Sequence, residues 1–579
     1  MSYKIVRRPH VDDSHLPSSL HPLLKQILAS RGVMPGQCKL DLKGLLRPNT
    51  MKGQVEAATI IATAIEANKS IFIIGDFDAD GATSTSVCML ALRMMGAPKV
   101  SYLIPNRFDY GYGLSPEIVD LAEQQGAELL LTVDNGISSI SGVERANQLD
   151  IPVVVTDHHL PGEQLPEAAA IVNPNQYGCQ FASKAMAGVG VAFYLMTTIK
   201  TELKTRGWFT QKHIPEPNLA SLLDIVALGT VADVVPLDAN NRILVEAGLK
   251  RVRAGQCRPG ITALLDIAKR NPQKAVASDF GFAVGPRLNA AGRLDEMSLG
   301  VELLLCDDIM KARSMAAELD GLNQDRRELE AGMQHEALKM LKAFSVNETS
   351  MPKGLALYQD DWHQGVIGIL ASRVKDKYHR PVIAFALGEN GEIKGSARSI
   401  KGVHMRDLLD RINTQVPGLI IKFGGHAMAA GLSIKADAFD VFKQHFETTI
   451  DQWVTEEQLT GEYKTDGELN VKFLEQETAD LLKFAGPWGQ EFEEPCFDGE
   501  FNIVQQRLVG EKHLKLVLET TCGRRLVDAI AFNIDLNVWP NTQIQRVSLV
   551  YTLDINEFRG NTSLQLMVKQ ITPVNDYDS

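Results

Sequence analysis

Apolar and polar positions follow a repeating scheme over the first half of the chain. Ile71 to Ile74 is a run of four apolar residues, the length of a short buried strand. Val87, Leu90, Ala91 and Met94 then recur at helical spacing, which predicts a helix from Ala82 onward. Leu129 to Val133 and Ile151 to Val155 are further apolar runs, and Ile225 to Val235 (IVALGTVADVV) reads as another of the same kind. Strand and helix alternate from about residue 70 to 235, with Ile171 to Asn175 as an added strand, so a doubly wound parallel sheet is predicted. Met51 to Asn68 reads as a helix leading into the first strand. Residues 1 to 50 read as an extension in which Pro9, Pro17, Pro22, Pro35 and Pro48 break any long element.

The pattern then changes twice. The stretch from Gly285 to Arg293 (GPRLNAAGR) is read as a glycine- and alanine-rich joint. After it, Leu303 to Ala343 is strongly helix-forming, with only Gly321 and Gly332 as weak points, and is read as a long connecting helix. A second α/β domain is expected over about 351 to 450, with strands at Gly354 to Tyr358 and Pro381 to Ala386 and a helix near Val366 to Lys377. From about 460 the runs Phe501 to Val504, Leu514 to Leu518, Leu526 to Phe532, Val547 to Ile555 and Leu564 to Val568 suggest a small five-stranded barrel such as an OB-fold.

The chemistry sits where the first-half strands end. Asp76, Asp78 and Asp80 follow the first run at alternate positions, in the usual ligand crevice of an open α/β sheet. Three carboxylates there repel one another unless a cation holds them. Asp134-Asn135-Gly136 ends the second run, Asp157-His158-His159 ends the third, and Asp233 lies within the fourth. Each has an ordinary explanation taken singly: Asp-Asn-Gly is a common turn, and an Asp after a strand is often a helix cap. Four such endings together point to a metal site. Oxygen-rich ligands with a minority of imidazole suit Mn²⁺ or Mg²⁺ better than a soft-ligand metal.

Composition narrows the classes. With 45% hydrophobic and 22% charged residues the chain has an ordinary globular make-up, and 579 residues allow about three or four domains. Seven widely spaced cysteines form no CxxC pair, which argues against a zinc cage or a disulfide framework and suits a reducing compartment. The start MSYKIVRRPH lacks a signal-peptide core and no run is long enough to span a membrane, so a cytoplasmic location is expected. A net charge of −12 excludes an all-over basic coat but not a local basic groove. Arg507, Lys512, His513, Lys515, Arg524 and Arg525 cluster in the tail, with Phe501, Phe532, Trp539, Tyr551 and Phe558 nearby. Basic groups with stacking rings are what sequence-tolerant single-strand binding needs, although rings in a small barrel are more often core.

The ordered set Asp76-x-Asp78-x-Asp80, Asp134-Asn135-Gly136, Asp157-His158-His159 and Asp233 resembles the four motifs of the DHH phosphoesterase superfamily. Gly424-Gly425-His426 through Ala429-Ala430-Gly431 is similar to the GGH motif of the DHH-associated domain. GPRLNAAGR, the stretch from His363 to Gly368, and Gly395 to Ser399 are similar to stretches of the superfamily's bacterial single-strand-specific exonucleases. The resemblance implies a DHH catalytic domain at 51–300 after the 1–50 extension, a connecting helix at 301–345, a DHH-associated substrate-binding domain at 346–455 that closes over the site, and an OB-fold at 460–579. It implies two divalent cations, Mn²⁺ or Mg²⁺, with Asp76, Asp78, Asp80, Asp134, His158 and Asp233 as ligands or their close supports. Asp134 would be catalytic, Asp157 would orient a histidine, and His159 would contact the scissile phosphate. Ser396, Arg398 and Arg107 would bind a phosphate at the 5′ end, His426 would lie close to the bound substrate, and Arg287, Asn289 and Arg293 would contact the strand near the cut.

The implied activity is removal of 5′-mononucleotides from single-stranded DNA in the 5′-to-3′ direction, in recombination and repair, including mismatch repair. A single-strand-binding protein and a helicase would be the partners of a monomer. Two other readings compete: a phosphoesterase of short oligonucleotides, cyclic dinucleotides or pyrophosphate, and a non-catalytic DNA-binding scaffold.

Overall fold

A computed structural model describes residues 3–106, 113–346, 351–388, 390–523, 525–558 and 560–574. Arg107 and Arg524 lie outside the described residues. The chain divides into two units, one of Pro9–Asn323 with Gln476–Pro495, the other of Met1–Arg8, Gln324–Glu475 and Cys496–Ser579. Strand β1 (Lys4–Arg7) belongs to the second unit.

The first unit is built on five parallel strands: β2 (Ile71–Ile74), β3 (Val100–Leu103), β4 (Leu129–Val133), β5 (Val153–Thr156) and β6 (Ala170–Val172). Their order across the sheet is β3-β2-β4-β5-β6. Strands β2, β4 and β5 are buried throughout because helices cover both faces. Alternate side chains divide between the faces, as the two-residue period of a strand requires. Phe72, Ile74, Leu130, Val153 and Val155 pack with Ile118, Val119 and Val143 of helices Pro116–Gln124 and Ile140–Gln148. Ile71, Ile73, Leu129, Leu131, Val133 and Val154 meet helices Gln54–Glu66, Ala79–Met94 and Gly188–Thr205. The chain leaves β2 toward β3 and returns on the other side as β4, so the order reverses at β2. The crevice at such a reversal is where ligands bind in open sheets.

Three readings of this unit need correction. Ile225 to Val235 is not a strand: helix Leu223–Ala232 occupies it, and Asp233 caps its C-terminus. The run is longer than most strands and is buried on all sides from Leu223 to Thr230, so no periodicity marked it as helical. GPRLNAAGR is no loose joint but helix Gly285–Leu294, with Pro286 in its first turn, where a missing N–H costs nothing. The long helix begins at Ile309, not near Leu303, because a separate helix ends at Leu305. Asp308 starts the new one by accepting the Met310 N–H at 2.8 Å. It then runs unbroken to Val346, past Gly321 and Gly332.

The second unit holds a mixed sheet of β7 (Leu355–Tyr358), β8 (Val382–Leu387), β9 (Glu392–Arg398), β10 (Lys422–Gly425) and β11 (Ala429–Lys435), in the order β10-β11-β9-β8-β7. Only β7 and β8 are parallel. Met333, Ala337 and Leu341 of the long helix pack on one face with Val366, Leu370, Val382 and Ala384. The same unit contains β12 (Glu462–Thr465), which pairs in parallel with β1. Strands β13 (Phe497–Val509), β14 (His513–Thr520), β15 (Leu526–Ala531), β16 (Arg546–Phe558) and β17 (Asn561–Pro573) close a barrel in the order β13-β14-β15-β17-β16. Phe501, Trp539 and Tyr551 are buried, so these three rings are core rather than stacking platforms; Phe532 is exposed beside His513. Lys515 is paired with Asp528 at 2.8 Å, which takes it out of a free basic cluster. Among the described residues no helix is long and apolar enough to cross a membrane.

Candidate metal centre

The sheet places the site. Register pairs Ile74 with Thr132 and Val133 with Thr156, so Asp76, Asp134 and Asp157 emerge side by side from the carboxyl ends of β2, β4 and β5. Asp78 caps helix Ala79–Met94, taking the Asp80 and Gly81 N–H groups at 2.9 and 3.0 Å. Asp80, in that helix's first turn, accepts the Gly188 and Val189 N–H groups at 2.6 and 2.9 Å and so anchors the start of helix Gly188–Thr205. Asp134 sits in the left-handed region (φ 61°), which carboxylate and amide residues tolerate better than most. Asp233 arrives from the helix end described above.

These groups converge. His158 Nε2 lies 3.1 Å from Asp134, 3.5 Å from Asp233 and 3.9 Å from Asp80. Three donor sets have ligand atoms within 4.8 Å of one another: Asp76, Asp78 and Asp134; Asp80, His158 and Asp233; Asp134, His158 and His159. Asp134 and His158 each belong to two of these, so the sets form one cluster. Asp157 stands behind it. One of its oxygens takes the His158 N–H at 2.7 Å, the His159 N–H at 3.0 Å and the His159 ring Nδ1 at 2.7 Å, and the other takes the Ile137 N–H at 2.9 Å.

The electrostatics are those of carboxylates crowded into a buried site. Burial first, then the neighbouring carboxylates, push Asp134 and Asp233 well above the usual range, and Asp80 rises to about 7 from burial and the Asp78 charge. Burial and the His159 charge lower His158 to about 4, leaving it a neutral imidazole. Burial also acts to lower His159, but the Asp157 hydrogen bond and the Asp157 charge outweigh it and raise the ring to about 9. Burial would raise Asp157, yet the hydrogen bond to His159 and the charge of that ring hold it below its ordinary value. His158 Nε2 and Asp233 Oδ2 are buried without a hydrogen-bond partner. Unsatisfied buried atoms facing several carboxylates fit a pair of hard divalent cations, and the donor set, mostly oxygen with one or two imidazoles, suits Mg²⁺ or Mn²⁺.

The remaining expected site residues fall into two groups. In the first unit, Arg287 is buried, pairing with Asp320 at 2.8 Å and donating to the Ala283 carbonyl at 2.7 Å, a structural clasp rather than an open arm. Asn289 accepts the Ala79 N–H at 2.8 Å and so steadies the loop carrying Asp76, Asp78 and Asp80. Arg293 is half-buried in the same helix. In the second unit, pairing of Ala429 with Arg398 and of Gly431 with Ser396 brings the GGH hairpin beside β9. Arg398 donates to Ser396 Oγ at 3.1 Å, and a Cβ on Gly368 would stand 3.0 Å from both side chains. His426 is exposed in the β10–β11 turn. Sequence reasoning missed Gly188, where a side chain would meet Asp134, and missed Asn173 and Asn175, which bond the backbone of the two histidines. The signal for the asparagines was present: Asn173-Pro174-Asn175 follows β6 as the acidic motifs follow β2, β4 and β5.

Fold and centre together define a metal-dependent phosphoesterase of the DHH class, and residues 70–230 match the DHH family, N-terminal domain. Residues 352–452 match the DHHA1 domain and 465–570 the RecJ OB domain. The chain is 56% identical over 571 residues to the single-stranded-DNA-specific exonuclease RecJ of Escherichia coli (strain K12), covering 98% of this chain and 99% of that one. It therefore belongs to the RecJ family of single-stranded-DNA-specific exonucleases. Its fold is similar to RecJ from Thermus thermophilus in complex with Mn²⁺ (TM-score 0.80, 27% identity, 99% of this chain and 80% of that one). The Mg²⁺ complex from the same organism gives a TM-score of 0.74 at 26% identity, over 99% and 79% of the two chains.

Proposed function

We propose that the protein is a metal-dependent exonuclease that degrades single-stranded DNA from its 5′ end to 5′-mononucleotides. The observation that carries this reading is the convergence of three overlapping donor sets on the carboxyl edge of one sheet. Two divalent cations, when bound, supply an activated water and relieve charge on the phosphoryl oxygens. Asp76, Asp78, Asp80, Asp134, His158 and Asp233 hold the ions directly or through a neighbour. Burial keeps His158 neutral, as a ligand must be. Asp157 fixes the His159 ring through Nδ1, and the charge it induces makes His159 a donor to a non-bridging phosphate oxygen. Ser396, Arg398 and His426 take the 5′-terminal phosphate, which sets the polarity of digestion, and the barrel binds the following strand.

The setting is DNA recombination and repair, including mismatch repair, in the cytoplasm. A helicase would supply single strands and a single-strand-binding protein would present them to a monomeric enzyme. The test is an end-labelled assay on matched single- and double-stranded DNA and RNA, with Mn²⁺ or Mg²⁺ and with Asp157→Ala as control. Labelled mononucleotide from 5′-labelled single-stranded DNA supports the reading. Release only from the 3′ end, or no release, ends it.

A further inference from the structure

We infer that Asn173 and Asn175 are positioning residues of the metal centre, clamping the His158-His159 dipeptide from the side opposite Asp157. Asn173 Nδ2 donates to the His159 carbonyl at 2.9 Å, and Asn175 Nδ2 donates to the His158 carbonyl at 2.6 Å. Both carbonyls of the pair are thus held by side-chain amides. Both backbone N–H groups of the pair are held by one oxygen of Asp157, at 2.7 and 3.0 Å. Every backbone hydrogen-bonding group of the dipeptide is fixed by a side chain, none of which is needed to satisfy a regular strand or helix.

The asparagines are themselves fixed. Asn173 is fully buried, and its Oδ1 accepts the Asn175 N–H at 2.7 Å, an Asx turn across Pro174. An Asx turn alone would use only the acceptor oxygen; here the amide donors are spent on the histidines. Asn175 also donates to the Lys184 carbonyl at 3.1 Å, and Lys184 Nζ returns to the Pro174 carbonyl at 2.6 Å. The loop stitched in this way runs on to Met186, whose backbone hydrogen-bonds the His158 ring, and to Gly188, whose N–H binds Asp80. One segment therefore begins on the histidine carbonyls and ends on the ring and on a carboxylate of the cluster.

The consequence is directional. A histidine whose backbone can rotate presents Nε2 over a range of positions, and the cluster then loses a preformed ligand. Outer partners of this kind change metal affinity by about 10- to 100-fold when removed. The inference rests on the metal-centre reading above, so its test includes a measurement other than turnover.

The test uses Asn173→Asp and Asn175→Asp in the full chain. Aspartate keeps the volume and the Oδ1 acceptor but replaces the amide donor by an oxygen that repels the carbonyl. It also adds a negative charge near the centre, which by itself would tighten cation binding. The clamp therefore predicts the opposite sign from simple electrostatics. Mn²⁺ titration followed by electron paramagnetic resonance should show at least about tenfold weaker binding in either variant. Thermal unfolding of the metal-free proteins identifies a variant that fails to fold; Asn175, half-exposed, is the variant expected to survive. Equal or tighter Mn²⁺ binding in a folded Asn175→Asp overturns the clamp. Wild-type protein that binds no Mn²⁺ overturns instead the metal-centre reading on which it rests.

Discussion

Gly188→Ala is the smallest change that disturbs the cluster without removing any of its donors. A Cβ at residue 188 would stand 2.7 Å from Asp134 Cβ, 2.8 Å from its Oδ1 and 2.9 Å from its Cγ. Carbon atoms in ordinary contact sit about 3.5–4.0 Å apart, so one partner must retreat by about 1 Å. The helix is the less able to move: Val189, Val191 and Leu195 are wholly buried, and Asp80 holds its first two N–H groups. Asp134 therefore yields, and with it the donor shared by two of the three sets. A displacement of about 1 Å at a reacting centre can cost about 100-fold in rate. The stability cost is smaller. Added bulk in a packed site costs about 1–3 kcal/mol, offset by up to about 1 kcal/mol for replacing glycine in a helix. A net loss of about 2 kcal/mol leaves a domain of ordinary stability folded. The control is Gly321→Ala, in the long helix, where nothing lies within 4 Å of the added carbon and stability should hold or rise. Turnover of a 5′-labelled single strand at saturating Mn²⁺ should fall about 100-fold for Gly188→Ala and not for the control. Wild-type turnover and Mn²⁺ affinity in a folded Gly188→Ala would refute the placement of Asp134 at the centre.

Asp157→Asn should lower turnover by about 10- to 100-fold while leaving single-strand affinity nearly unchanged, since the residue orients His159 rather than contacting the strand; an equal rise in KM would contradict that role. In chelator, the protein should lose stability as pH rises. The Asp80 carboxyl, raised from 3.8 to about 7, stays protonated in the folded state after the unfolded chain has released its proton, a contribution that declines from about pH 4 through 7 and is offset below about pH 6.5 by His158, held at about 4. His159, raised from 6.5 to about 9, extends the decline to about pH 9. Thermal midpoints measured at pH 6 and pH 9 should fall in that order without metal and converge with Mn²⁺; a metal-free midpoint that rises with pH would contradict the charge crowding.

What the sequence revealed, and what it hid, follows from how far each signal travels along the chain. Strands β2, β4 and β5 were legible because each is a short apolar run ending in a change of chemistry, and Asp76, Asp134 and Asp157 inherit their places from the strands they follow. Strand β3 was not picked out: Val100-Ser101-Tyr102-Leu103 is only partly buried and mixes polar with apolar residues. Strands β9 to β11 were seen as glycine motifs, because glycines and small residues that let backbones approach closely carry little strand propensity. The barrel's five strands are legible as apolar runs but extend beyond them, as where β17 begins with the exposed polar residues Asn561, Thr562 and Ser563.

Asp233 shows why the chemistry was more legible than the structure carrying it. A buried, mostly apolar run reads alike as strand or helix, and Asp233 comes to the end of the element in either case. A donor contributed by a helix end differs from one on a strand, however. The backbone carbonyls at a helix C-terminus carry partial negative charge, and here that charge adds to a cluster already crowded with carboxylates. The opposite influence comes from Asp80, whose oxygens face the N–H groups that open helix Gly188–Thr205. Two helix N-termini, those of Ala79–Met94 and Gly188–Thr205, thus favour the cluster's anions and one helix C-terminus disfavours them, and at that C-terminus Asp233 Oδ2 is left without a hydrogen-bond partner. A cation bound there would relieve both the helix end and the carboxylate.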